Sequence, residues 1–254
     1  MAKIARAALI SAFAVLTASA QNTEIHVLCS NGFRAAMNKL LPQSERAISG
    51  TAKIDFGASR NLKQSIEQGQ PFDVVIVTPQ VIEELIKDGK VASGTEVNLA
   101  SSGIGVAVRA GRPKPDVSTV QDIKQTLLGA KSIGYVKVGA GTPAILDMFQ
   151  KLGIAQALQD KTVYQAGAEQ SMKNLAAGNV DIALALISEI LPAPGVQLAG
   201  PLPAEFQKRI VLAAGIASST KKRAAAEQFI KSLTGASAAK TIKASGMEPA
   251  PKEN

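Results

Sequence analysis

Short apolar runs alternate with segments of helical period along this chain, and that alternation restricts the fold more than any other feature. The runs are EIHVLC (24–29), KIDF (53–56), DVVIV (73–77), GIGVAVR (103–109), SIGYV (132–136), TVYQ (162–165), DIALAL (181–186) and RIVLAAGIA (209–217). Amphipathic segments fall at 33–46, 60–68, 79–88, 119–128, 142–152, 168–177, 221–233 and 236–245. Strands that alternate with helices of this length build βαβ units, so the expected class is α/β with mostly parallel sheets. Several boundaries carry capping chemistry: Thr78 before Pro79, Asp88-Gly89 as a stop, Ser219 or Thr220 ahead of Lys221, and Thr142 as an N-cap. The stretch Leu191 to Pro203, with four prolines and two glycines, and GRPKP at 111–115 read as rigid connectors. No internal repeat or low-complexity segment interrupts the pattern.

The first 20 residues follow another logic. Lys3 and Arg6 precede an apolar stretch from Ala7 to Leu16, and Ala18-Ser19-Ala20 precedes Gln21, the order of a cleavable secretory signal. The apolar core is shorter than the roughly 20 residues of a spanning helix. The mature chain is therefore expected to begin near Gln21 and to act as a soluble, exported, periplasmic protein. Removing 20 residues from 254 leaves 234, enough for one large or two ordinary domains, and the formal charge falls from +8 to +6. The basic residues are scattered, which suits anionic small ligands or a weakly anionic surface. With no basic-aromatic interleaving and no nucleic-acid-binding motif, nucleic-acid binding is not expected.

Cys29 is the single cysteine, so no intramolecular disulfide can form, and its apolar neighbours predict a buried, inert thiol. His26 is the single histidine, which removes a Ser-His-Asp triad and His-rich metal sites; a partly exposed strand position is expected for it. No metal site and no cofactor are expected.

In open α/β sheets ligands bind beyond the carboxyl ends of strands, where helix N-termini point N–H groups outward. Four strand-to-helix turns are rich in small and polar residues: Ser30-Asn31-Gly32-Phe33, Gly57-Ala58-Ser59-Arg60-Asn61, Val138 to Pro143 with Gly141 and Thr142, and Ala166 to Gln170 with Ala168 and Glu169. Together they are suited to surround an anion. GAGTP lacks the Gly-Lys-Ser/Thr of a P-loop, and Gly103 and Gly105 lack dinucleotide spacing. Ser59 and Arg60 are also compatible with a plain N-cap and a solvated side chain. An enzyme would need a carboxylate pair or an activated nucleophile. Near the four turns stands only Glu169, with Asp147 a turn or more inside its helix, so catalysis is not expected.

The runs VLCSNGFRAAMNKL, IDFGASRNLKQSIEQGQPFDVVIVTP, SSGIGVAVRAG, SIGYVKVGAGTPAILDMFQKLGI and GNVDIALALISEI resemble the molybdate-binding proteins of bacterial ABC importers, within the class II periplasmic solute-binding proteins. The resemblance covers nearly the whole mature chain and is most specific from Phe56 to Val77. It implies two α/β lobes joined by two crossing hinge strands, near GIGVAVRAG and RIVLAAGIA. Lobe I would hold 21–104 and 208–254, and lobe II 105–207. It further implies a monomer that captures a small anion by lobe closure and delivers it to a membrane permease of an ABC importer. A periplasmic sensor or enzyme on the same fold is the alternative.

The family's two serine positions fall on Gly32 and Ser59, its backbone donors near Gly141 and Ala168, and its tyrosine on Leu186. Two of three hydroxyls are thus missing, and Arg60 stands where a small hydroxyl residue is usual. Neutral donors suit tetrahedral molybdate, whereas a guanidinium fork suits a planar carboxylate. The ligand expected first is therefore an organic carboxylate, with molybdate or tungstate second. Ser30, Asn31, Gly32, Ser59, Arg60, Gly141, Thr142, Ala168, Glu169 and Gln170 are the candidate ligand-binding residues.

Overall fold

The structure, a computed structural model, describes residues 23–251, so the proposed signal segment lies outside the described residues. The chain runs β1 (Thr23–Ser30), α1 (Arg34–Ile48), β2 (Gly50–Gly57), α2 (Ser59–Glu67), β3 (Val74–Val77), α3 (Pro79–Lys87) and β4 (Val97–Ser102). It continues through β5 (Ile104–Arg109), α4 (Val120–Gly129), β6 (Ile133–Val136), α5 (Thr142–Lys151), α6 (Ala155–Leu158), β7 (Thr162–Gln165), α7 (Ala168–Ala177), β8 (Ile182–Leu186), α8 (Ile187–Ile190) and β9 (Val196–Pro201). It closes with β10 (Ile210–Ile216), α9 (Arg223–Ser232), α10 (Ala236–Lys243) and β11 (Glu248–Pro249).

Two sheets result, ordered β11-β4-β10-β3-β1-β2 and β7-β6-β8-β5-β9. Each is covered on both faces, which makes the fold α/β and two-lobed. In the first lobe, Ala36, Met37 and Leu40 of α1 pack with Phe229 and Ile230 of α9 on one face. Leu62 and Ile66 of α2 pack with Val81, Ile82 and Leu85 of α3 on the other. The spacing of these residues puts them on one stripe of each helix. Central β3, VVIV, is buried at all four positions, as a strand covered on both faces must be. Each such Val, Leu or Ile contributes about 1.5–3 kcal/mol on full burial.

The sheets are mixed rather than mostly parallel. β1 pairs in parallel with β2 and β3, and β6 with β7 and β8. However, β10 is antiparallel to β3 and β4, and β5 is antiparallel to β8 and β9. The antiparallel partners are the strands at which the chain changes lobe, a property of long-range topology that local periodicity does not encode. The outward crossing passes from β4 through Gly103 to β5, and the return runs from β9 through residues 202–209 to β10. The two are tied together by Gln207, whose amide oxygen accepts the Ile104 N–H at 2.8 Å and whose amide nitrogen donates to Ile104 O at 2.9 Å.

Sequence periodicity missed β4, β9, β11, α6 and α8. The Leu191–Pro203 connector contains β9, an edge strand of partly exposed residues that ends at Pro201. Pro79 opens α3 after Thr78, and Gly89 follows the helix with φ +67°, the left-handed conformation that a stop requires. Thr142 is the first residue of α5 rather than its N-cap, which is Gly141. Cys29 is fully buried, and desolvation raises its thiol far above the usual range. His26 is partly exposed on β1, with Nε2 2.7 Å from Asp55 Oδ2.

Candidate functional site

Three helices begin around one cavity between the lobes. α2 starts at Ser59, α5 at Thr142 and α7 at Ala168, and all three residues line a space of ≈ 40 Å3 with Ser30, Asn31, Gly141 and Glu189. The first-turn N–H groups of a helix have no acceptor within it, and the aligned peptide dipoles leave its N-terminus positive. Converging starts therefore make an anion-binding environment before any side chain is considered. Val136, Ile145, Leu184, Ala185 and Leu186 supply an apolar wall. Ser30 and Ser59 are both buried, with their hydroxyl oxygens 3.4 Å apart, so they present a pair of hydroxyls from the first lobe.

Six of the ten candidate residues are brought together at this cavity: Ser30, Asn31, Ser59, Gly141, Thr142 and Ala168. The Thr142 hydroxyl is engaged within its own turn, donating to Val136 O at 2.6 Å and accepting the Gly139 N–H at 3.1 Å. It shapes the loop. Gly32 is buried beside the cavity, where an added Cβ would lie 2.8 Å from Leu186 Cδ1 and 3.2 Å from Leu212 Cδ1. Leu186 thus occupies the space a residue larger than glycine would need at position 32. Glu169 and Gln170 point their side chains outward, Glu169 to Lys173 at 2.7 Å and Gln170 to Asn174 at 3.0 Å.

Arg60 does not reach the inner cavity. Its side chain is 60% exposed, and Nη1 lies 3.1 Å from both carboxylate oxygens of Glu84. It lines instead an outer chamber of ≈ 340 Å3 with Thr78, Gln80 and Arg209, and this chamber shares Ser59, Gly139 and Ala140 with the inner cavity.

Sequence reasoning missed two residues. Arg34, at the start of α1, donates from Nη2 to Asn31 Oδ1 at 2.9 Å and places its guanidinium 4.1 Å from the Phe56 ring centre. Its charge also acts on Glu169 and Glu189. Like Arg60, Arg34 is a cation at a helix start after a polar turn, so the same signal marks it. The second is Glu189, a cavity-lining carboxyl that receives the Leu186 N–H at 3.3 Å. The residue as a whole is partly exposed, but its carboxyl is enclosed, and desolvation raises its pKa to about 7 against the lowering effects of the Leu186 N–H and Arg34. The four-residue α8 that presents it follows β8 directly and leaves no separate turn to notice. The carboxylate of the cleft is therefore Glu189, not Glu169.

The lobes also touch. Ser188 Oγ donates to Gly32 O at 2.8 Å, and the Ser188 N–H donates to Ser102 Oγ at 3.2 Å beside the crossing.

Two lobes, two crossings and a cleft walled by helix N-termini define a solute-binding protein. A model of the bacterial extracellular solute-binding proteins matches residues 25–248, and the chain belongs to that family. It is 28% identical over 257 residues to an aconitate isomerase of a Pseudomonas species, with 98% of this chain and 97% of the relative covered. It is 25% identical over 236 residues to the molybdate-binding protein ModA of Azotobacter vinelandii, covering 91% and 92%. The solved periplasmic molybdate-binding protein of A. vinelandii superposes with a TM-score of 0.76 at 23% identity, over 90% of this chain and all of that one. Among the described residues no helix is long and apolar enough to cross a membrane, and no group of three or more His, Cys, Asp or Glu could hold a metal ion.

Proposed function

We infer that the chain is a periplasmic, monomeric solute-binding protein that closes over a small organic polycarboxylate and delivers it to the permease of an ABC importer. Residues 21–104 with 208–254 and residues 105–207 would be the moving lobes. The observation that carries this reading is the paired arrangement of inner cavity and outer chamber. At roughly 10–15 Å3 per enclosed water, the inner ≈ 40 Å3 holds about three water-sized positions, room for one carboxylate against Ser30, Ser59 and the helix starts. The remainder of a larger acid would extend past Ser59 and Gly139 toward Arg60 and Arg209, whose planar forks suit further carboxylates. Arg60 then serves from the outer chamber, exchanging Glu84 for ligand. The name of the aconitate isomerase, a protein acting on a tricarboxylate, agrees with this ligand class.

Capture needs differential affinity of the ligand for the closed form and no covalent step. The test is a thermal-shift screen of residues 21–254 against cis- and trans-aconitate, other di- and tricarboxylates, molybdate, tungstate and sulfate. A ligand at a hundredfold excess over Kd adds about 2.7 kcal/mol to stability. A polycarboxylate shift that shrinks in Arg60→Ala supports the proposal, and chromatography of the incubated aconitate tests for conversion. Isomerisation of the added acid would overturn the non-catalytic reading.

The relationship to ModA supports a second reading. A compact tetraoxo anion would use the helix starts and the two serines alone, without the outer chamber, with the inner cavity widening slightly around it. A shift with molybdate or tungstate alone, unchanged in Arg60→Ala, would select it.

A further inference from the structure

An anion site is an unusual place for an acidic side chain. Glu189 lines the inner cavity with Ser30, Ser59, Gly141 and Ala168, among groups that present positive or hydrogen-donating ends. If the carboxyl were ionised, it would repel the captured anion at close range in a desolvated space, where like charges interact most strongly. Charged groups on the elements packed against α8 do little to offset this. The turn at 31–33, β8 and β9 contain no ionisable residue. Arg109 closes β5 at its far end, with its guanidinium beside Gly178. Glu169 of α7 is paired with Lys173. Arg34 of α1 donates to Asn31, and its charge lowers the Glu189 pKa without an ion pair between the two. Among the described residues Glu189 forms no salt bridge, and its recorded hydrogen bond is the Leu186 N–H at Oε2.

Resting on the anion-capture reading above, we propose that Glu189 is a ligand-binding residue that donates a hydrogen bond from its protonated carboxyl to the captured anion, so that each anion enters the cleft with one proton. In this form the acid becomes a donor and joins the two serine hydroxyls. Buried carboxyls are held neutral in this way where water is excluded and a donor is needed. The enclosed setting already raises the Glu189 pKa to about 7, so the proton is available near neutrality at little cost. A bound anion raises it further. Affinity is therefore highest below about pH 7 and weakens above it, toward tenfold per pH unit, as long as the bound form keeps its proton and the free form does not.

The experiment is calorimetry with the mature chain and two probes, trans-aconitate and molybdate. Titrations run from pH 7 to pH 9.5 in two buffers of different ionisation enthalpy, so that proton uptake is counted directly. The expected result is uptake approaching one proton per anion at pH 8 to 9, with Kd rising steadily with pH. In Glu189→Gln, binding persists, uptake falls to zero and the pH dependence flattens. The wild-type proton count stands without the variant, should that variant fold poorly. Tight binding with no proton uptake would overturn this proposal and leave anion capture intact. Unchanged pH dependence in Glu189→Gln would overturn it as well. No binding of either probe at any pH would overturn the capture reading and this one together.

Discussion

Gly32→Ala should separate lobe closure from lobe folding. Gly32 has no need of a left-handed backbone; its requirement is space. The added Cβ would stand 2.8 Å from Leu186 Cδ1, a side chain of the other lobe, and 3.2 Å from Leu212 Cδ1 of its own. Leu186 is only 4% exposed and has little room to retreat. Overpacking of this kind costs roughly 1–3 kcal/mol. The open form escapes the Leu186 contact, so the cost falls on closure and therefore on binding. At ~1.4 kcal/mol per tenfold, Kd should rise about 5–150-fold. The Leu212 contact requires only a small adjustment, so the ligand-free Tm should fall by under about 4 °C, the shift expected for 1 kcal/mol in a chain of this size. Calorimetry with the ligand selected by the thermal-shift screen gives Kd, and small-angle scattering reports closure. Leu186→Ala in the Gly32→Ala background removes the opposing methyl and should recover at least about fivefold, a coupling of ~1 kcal/mol. Binding of Gly32→Ala within twofold of wild type would refute the reasoning, because the lobes would not then approach this closely around the ligand.

Arg34→Met keeps an apolar stem against Phe56 while removing the bond to Asn31, and should weaken ligand binding about tenfold with little loss of stability, read by calorimetry and thermal melts. Thr142→Val removes both hydroxyl bonds of the loop and should cost about 2–3 kcal/mol, lowering the ligand-free Tm by roughly 4–12 °C. In the native state Glu189 keeps its proton up to about pH 7, while the unfolded chain loses it near 4.5; unfolding between these values releases a proton, so stability falls as pH rises through that window. Glu189→Gln should therefore exceed wild type in ligand-free stability at pH 8, by at most about 3 kcal/mol because cleft opening rehydrates the carboxyl, and the advantage should vanish at pH 4 in denaturant titrations. Cys29, buried with its thiol pKa raised, should resist alkylation at pH 8 in the native protein and react fully in denaturant, as mass spectrometry would show.

Elements formed from strong local patterns were readable from sequence. The apolar stripe of α3, the Thr78-Pro79 start and the Gly89 stop fixed that helix, and β3 was visible as a continuous apolar run bounded by Asp73 and Thr78. β4 (VNLASS) and β9 (VQLAGP) were not, because both carry polar or conformationally permissive residues, and tertiary pairing with β10 and β5 makes them strands. Likewise, the strand direction that makes both sheets mixed depends on where the chain crosses between lobes. At the site, reading strand-to-helix turns located the cavity, since helix starts are local features. It misjudged where long side chains go. Arg60 turns away to Glu84 of α3, 24 residues along the chain, a partner its own turn does not reveal, whereas Arg34 turns back to Asn31, three residues before it, within a turn where the pairing was open to notice. Glu189 escaped notice because its helix is a single turn whose burial is imposed by both lobes.

The most direct test is a crystal structure of residues 21–254 grown with trans-aconitate. The account predicts a closed form with one carboxylate enclosed by Ser30, Ser59, Gly141, Ala168 and Glu189, and the rest of the acid reaching toward Arg60 and Arg209. Density for the acid only in the surface pocket beside Arg109 and Arg112, with the interlobe cavity left to water, would contradict it.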